Sequence, residues 1–136
     1  MREQLRALIT RHCTTLAHEY EALTACLVRL DAVEREVDGS DGSSSDLRVL
    51  MAVREGFELA HKIKGSSGSL GFAAISAAAG ELENHLKAVE RATVSVTDEE
   101  VGKAIKAALG ALGELIRDVA PEQSALYNVN FPEGPV

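Results

Sequence analysis

Apolar residues recur along the first third of the chain at Leu5, Leu8, Ile9, Cys13, Leu16, Tyr20, Leu23, Leu27, Leu30, Val33 and Val37, in steps of three and four nearly throughout. That spacing places them on one stripe of an α-helix. Thr14 and Thr15 mark the place where the stripe would break, so the segment reads either as one long helix or as a short extra N-terminal helix followed by a longer one. The run "DGSDGSSSD", Asp38 to Asp46, is too rich in glycine, serine and aspartate to continue it and reads as a loop. It ends in the capping residues Ser44, Ser45 and Asp46, which predict a second helix from about Asp46 or Leu47 to a bend or stop near Gly71.

A third helix is expected over Ala73–Arg91, with Ile75, Ala78, Ala79, Leu82, Leu86 and Val89 as its apolar stripe. "TVSVTDEE" interrupts the pattern, and Thr97 with Glu100 forms a capping box for a fourth helix that uses Val101, Ile105, Ala108, Leu112, Leu115, Ile116 and Val119. Pro121 stops it, and the segment after it reads as a loose polar tail. No stretch shows the alternation of a strand, no segment repeats, and no heptad is sustained. The expected architecture is all-α, an antiparallel four-helix bundle over residues 1–120 with a tail over 121–136.

Composition fits that picture. A chain of 136 residues with 46% hydrophobic and 26% charged residues is long enough and apolar enough for one packed core. The net charge of -7 and the pI near 5.1 argue against nucleic acid as a partner, which would require clustered Lys and Arg. There is no apolar run of membrane-span length, and Arg2, Arg6 and Arg11 interrupt the N-terminus where a signal peptide would need an apolar core, so a cytoplasmic protein is expected. Cys13 and Cys26 lack the spacing of a zinc or redox motif and read as core thiols.

The second helix carries the one local inconsistency. "AHKIKGSSGSLGF", Ala60 to Phe72, puts three glycines within seven residues, although each weakens a helix interior by about 1 kcal/mol relative to alanine. At about 100° per residue, Val49, Ala52, Gly56, Leu59, Ala60, Ile63, Ser67 and Leu70 form the bundle face. His61 falls on the other half with Arg54, Glu58, Lys64, Gly65 and Gly68, and should be exposed. Gly65 and Gly68 then leave bare backbone beyond the imidazole, with nothing in the bundle requiring Gly68 to be small. A partner could approach closely there, over a face formed by Arg54, Phe57, Glu58, Gly65 and Gly68. Lys64, three residues on, is within reach of a group carried on the imidazole, and an ammonium is a competent point charge for phosphate.

This pattern resembles the signature of the histidine-containing phosphotransfer (HPt) domain. His61, Lys64, Gly65, Ser66, Ser67, Leu70 and Gly71 all match it, and "ELE", Glu81 to Glu83, resembles the family's second element on the following helix. The resemblance implies a four-helix bundle over roughly Leu5 to Val119. It also implies a phosphorelay intermediate without kinase activity of its own, which takes a phosphoryl group on His61 from a receiver-domain aspartate and passes it to another receiver. His61 would be the nucleophile through Nε2, with Nδ1 left for a hydrogen bond that fixes the ring, and Lys64 would offset charge on the phosphoryl group. The implied partners are response-regulator receiver domains and a hybrid sensor kinase; Mg²⁺ would come from the receiver, the protein holding no cofactor of its own, and the chain is expected to be a monomer.

Three rivals remain. In a helical adaptor bundle His61 would be incidental. In a chemotaxis-type kinase this domain would be the phospho-accepting end of a longer machine. A di-metal bundle would need Glu-x-x-His on two helices, whereas only Glu58 and His61 have that spacing. His12 and His18 lie about 120° apart on their helix, and His85 borders the apolar stripe of the third, so none of them adds a metal site.

Overall fold

The computed structural model describes residues 2–35, 42–91 and 99–128, and contains four helices: α1 (Arg2–Arg35), α2 (Gly42–Ser69), α3 (Ala73–Glu90) and α4 (Glu99–Arg117). A 3₁₀ turn, Pro121–Gln123, follows α4. The Thr97 capping box and residue Val37 lie outside the described residues, as do the side chains of Leu30 and Val33. Among the described residues no strand occurs, and no helix is long and apolar enough to cross a membrane.

Side-chain contacts fix the directions of the helices. Along α1 and α2, Cys26 lies against Ala52 whereas His12 lies against Ser67, so α2 descends as α1 rises. Gly56 approaches Leu86 while Gly68 approaches Ser76, which makes α2 and α3 antiparallel. The Tyr20 hydroxyl donates to the Leu109 carbonyl, joining α1 to α4 and closing the bundle. Packing is most extensive between α2 and α3 and slimmest between α1 and α4. The shared core is aliphatic: Ile9, Leu16, Leu23, Val53, Ile63, Leu82, Leu86 and Leu112 are fully buried.

The structure decides one element that the sequence leaves open and differs from the sequence-based expectation in two. The break at Thr14 and Thr15 is not made: α1 is a single helix of 34 residues. Threonine costs a helix only about 0.7 kcal/mol or less, whereas Ile9, His12, Leu16 and Leu23 on either side are all buried by the continuous helix. The second helix begins at Gly42, so Ser44, Ser45 and Asp46 lie in its opening turns and do not precede it. The segment after Pro121 is not loose up to Asn128. Ser124 is buried and donates its hydroxyl to the Leu70 carbonyl, the Ala125 amide donates to Gly71, and the Arg6 guanidinium donates to the Tyr127 carbonyl while lying 4.4 Å from its ring centroid. Residues 121–128 therefore form a strap across the turn between α2 and α3.

That turn follows from its sequence. The Phe72 amide reaches back to Ser67 and the Gly71 amide to Gly68, a Schellman pair of hydrogen bonds, and Gly71 takes the required left-handed conformation at φ 86°. His12 ties α1 to the same place: its Nε2 lies 3.1 Å from the Ser67 hydroxyl and its ring 5.7 Å from that of Phe72. Burial lowers the pKa of His12 from its ordinary 6.5. The unfolded chain therefore binds this proton more readily, so the stability tied to a neutral His12 is complete above pH 6.5 and is lost as pH falls through the lowered value. Burial raises the pKa of Glu19, which acts in the opposite sense, its stability contribution being lost as pH rises. The His12 share is therefore best read as a difference: denaturant unfolding between pH 7 and 5 should lose stability more steeply for the native chain than for His12→Gln.

Candidate functional site

His61 projects from the middle of α2 with its side chain 64% exposed, as the helix rotation predicts. Its two flanks are unlike. On the α3 side, Nδ1 lies 3.3 Å from Glu83 Oε2, and the ring stacks on Phe57, one turn earlier, at 6.0 Å and 12° between planes. A carboxylate only accepts, so the Nδ1 position bonded to it carries the hydrogen, and the outer nitrogen Nε2 keeps its lone pair. On the other side lies an open depression of about 540 Å³, lined by His61, Lys62, Gly65, Ser66, Ser69 and Leu70.

Glu83 is the functional residue that the sequence reading leaves unassigned. It is 94% buried, between the core residues Leu82 and Leu86 in sequence, and its carboxylate takes the imidazole on one oxygen and the Lys64 ammonium on both, at 3.3 and 3.4 Å. A buried carboxylate is costly unless charge-paired and hydrogen-bonded, and here both compensating groups come from α2. Its spacing offered a signal: position 83 is four beyond Ala79 and three before Leu86, both core residues. Lys64 is thus brought to the histidine as expected, but through Glu83, with its stem passing near Gly80.

The remaining members of the predicted face are placed as follows. Arg54 and Glu58 are exposed and lie 3.9 Å apart, two turns and one turn before the histidine respectively. Phe57 is half-buried, packed against the core, and serves as the platform under the imidazole. Leu50 and Met51, 48% and 58% exposed, extend this surface with apolar groups toward the start of α2.

Gly65 and Gly68 are not equivalent. A methyl group at Gly65 would meet nothing within 4 Å, so that backbone is open. At Gly68 it would lie 3.2 Å from the Ser76 hydroxyl, which donates to the Lys64 carbonyl and holds the start of α3 against α2. The expectation that nothing in the bundle needs Gly68 small is therefore corrected. Gly65→Ala should stabilise the isolated domain by up to about 1 kcal/mol, whereas Gly68→Ala should gain less or lose, because Ser76 must yield. Parallel thermal melts of the two variants check this, and equal gains would show that Ser76 moves freely.

His18 is exposed and His85 half-buried, neither near His61 in sequence or contact, and among the described residues no group of three or more His, Cys, Asp or Glu side chains could hold a metal ion. The site therefore consists of a fixed imidazole with a free outer nitrogen, a lysine beside it and open backbone beyond. The Hpt domain family model matches residues 29–115, a span that contains His61, Lys64 and Glu83. The chain belongs to the Hpt domain family. No curated protein and no solved structure gives a significant match. As an Hpt domain the chain has a phosphotransfer role in two-component signalling, a role that involves receiver domains and kinases. Most of α1 and the strap over 121–128 lie outside the matched span, although both pack on the turn that ends the motif helix.

Proposed function

We propose that the domain is a phosphorelay intermediate in which His61 accepts a phosphoryl group from a receiver-domain aspartate and passes it to a second receiver. The observation that carries this reading is the hydrogen bond from His61 Nδ1 to buried Glu83, which leaves Nε2 as the exposed nucleophile. In the forward step the Nε2 lone pair forms the P–N bond as the P–O bond to the aspartate breaks, and the aspartate leaves as a carboxylate. The ring keeps its Nδ1 hydrogen and becomes cationic, and the Glu83 carboxylate stabilises that charge; the return step reverses the same bonds. In-line positioning and charge stabilisation dominate such transfers, so the bundle supplies a held imidazole and the receiver supplies its acidic pocket and Mg²⁺. The protein acts as a monomer in the cytoplasm, without kinase activity or a cofactor of its own.

Incubation with a receiver domain charged from acetyl phosphate, following transfer of the label, tests the reading. Label should move to this chain as an acid-labile, alkali-stable phosphohistidine and onward to an uncharged receiver; binding of the receiver without transfer would favour an adaptor role and overturn it. Lys64 has a separate part. Release of its ammonium from Glu83 toward the arriving phosphoryl group offers a charge-assisted contact, worth about 1.5–3 kcal/mol in general and less at a half-exposed site. Lys64→Ala should therefore slow transfer about tenfold while receiver binding persists, as stopped-time label transfer would show.

A further inference from the structure

The two lysines beside His61 are held differently. Lys64 leans to α3, where both carboxylate oxygens of Glu83 engage it, and its side chain is 43% exposed. Lys62 lies on the opposite, open flank, lines the depression beside the imidazole, and is 67% exposed. Its ammonium lies 3.9 Å from Glu19 Oε2 on α1, too far for a hydrogen bond. That oxygen is buried and has no hydrogen-bond partner. Burial holds the Glu19 carboxyl above its ordinary range, Lys62 being the nearby charge that opposes the shift. A buried carboxylate oxygen without a hydrogen bond does little for the core. What it can do is draw the Lys62 ammonium toward α1 by charge alone, at 3.9 Å, without taking up its N–H groups.

The geometry points to Lys62, braced by Glu19, as a recognition residue that meets the anionic rim of the receiver's phospho-aspartate site on the open flank of His61. This rests on the phosphorelay reading and deepens it. The electrostatics favour such a residue. The chain carries a net charge of -7, and the group it must approach is an aspartyl phosphate, itself anionic. Lys64 is largely neutralised by Glu83, Arg54 is within ion-pair distance of Glu58, and among the described residues no carboxylate hydrogen-bonds Lys62. Charges at the rim of an interface act mainly on encounter rate and salt dependence, so Lys62 should govern how readily the receiver docks and Lys64 how the phosphoryl group is handled.

The test compares two phosphodonors, a charged receiver domain and phosphoramidate, a small donor with no docking surface. With the receiver at low salt, Lys62→Gln should raise the half-saturating concentration about tenfold with little change in the rate at saturation, and the deficit should shrink at high salt, where exposed charges are screened. Lys62→Arg should stay within about twofold of the native chain. Glu19→Gln should melt no lower than native and raise half-saturation about threefold, and adding it to Lys62→Gln should cost nothing further, as for two residues acting through one contact. A loss of equal size against phosphoramidate would overturn the proposal, since Lys62 would then be acting on the phosphoryl group or the fold. So would native docking by Lys62→Gln, failure of arginine to rescue, or an additive effect of the two substitutions. If the native chain takes label from neither donor, the phosphorelay reading falls and this one falls with it; label from phosphoramidate with unaltered docking of Lys62→Gln removes only the role of Lys62.

Discussion

Glutamine at position 61 should abolish phosphoryl acceptance while leaving the melting temperature within about 2 °C of native. The first half follows from chemistry: a carboxamide nitrogen has no lone pair available for attack on phosphorus, and no other histidine is placed to substitute. His12 is buried against Ser67, and neither His18 nor His85 has a neighbouring carboxylate holding one ring nitrogen among the described contacts. The second half follows from position. The imidazole is 64% exposed and contributes to the fold only a stack on Phe57 and one contact with Glu83, whose carboxylate retains Lys64 in the variant. Surface substitutions of this kind stay within about 0.5 kcal/mol, which for a domain of this size is about 2 °C. Acid-labile label persisting on His61→Gln would place the nucleophile elsewhere; a melt lowered by 10 °C would show that the imidazole is structural.

The comparison of sequence with structure separates what side-chain pattern encodes from what contacts between elements encode. The rotation of α2 was legible because Ala52, Ala60, Ile63 and Ser67 bury together and His61 lies opposite them, a consequence of helical period alone. Glu83 was not assigned because a charged residue beside an apolar stripe reads as exposed; its burial is tolerable only because α2 supplies an imidazole and an ammonium at the same height. The continuity of α1 was undecided for a similar reason. Local propensity at Thr14 and Thr15 is weak, and the partners that settle the matter are on other helices. The strap was illegible in a stronger sense. Two of its anchors are the backbone of Leu70 and Gly71, which carry no side-chain signal, and the third is Arg6 at the far end of the chain, so the segment "EQSALYNVNFPEGPV" read as a loose polar tail.

The strap also gives a second meaning to a glycine of the motif. Gly71→Ala should lower the stability of the domain by roughly 2–5 kcal/mol, far more than the same substitution at Gly65 or Gly68. Two effects combine. At φ 86° an alanine would sit in the left-handed region, which costs about 1–2 kcal/mol for a residue with a Cβ. Its methyl would also lie 2.7 Å from the Ser124 hydroxyl and 3.0 Å from the amides of Ala125 and Leu126. Two of those three neighbours are backbone, so the strap must move bodily, and overpacking of this kind costs about 1–3 kcal/mol. For a domain of this length the sum corresponds to a melting temperature about 10 °C lower. Below that temperature the variant should still accept label, because His61 and Lys64 on α2 engage Glu83 on α3 and none of these contacts involves the strap. A companion variant isolates the strap's share: Ser124→Ala removes the hydroxyl that donates to Leu70 and accepts from Leu126, and should cost about 1 kcal/mol. A Gly71→Ala protein that melts with the native chain would show that the strap is not seated on this turn. One that melts lower and also loses label acceptance well below its transition would show that the turn holds the histidine's helix in register, making the strap part of the phosphotransfer site.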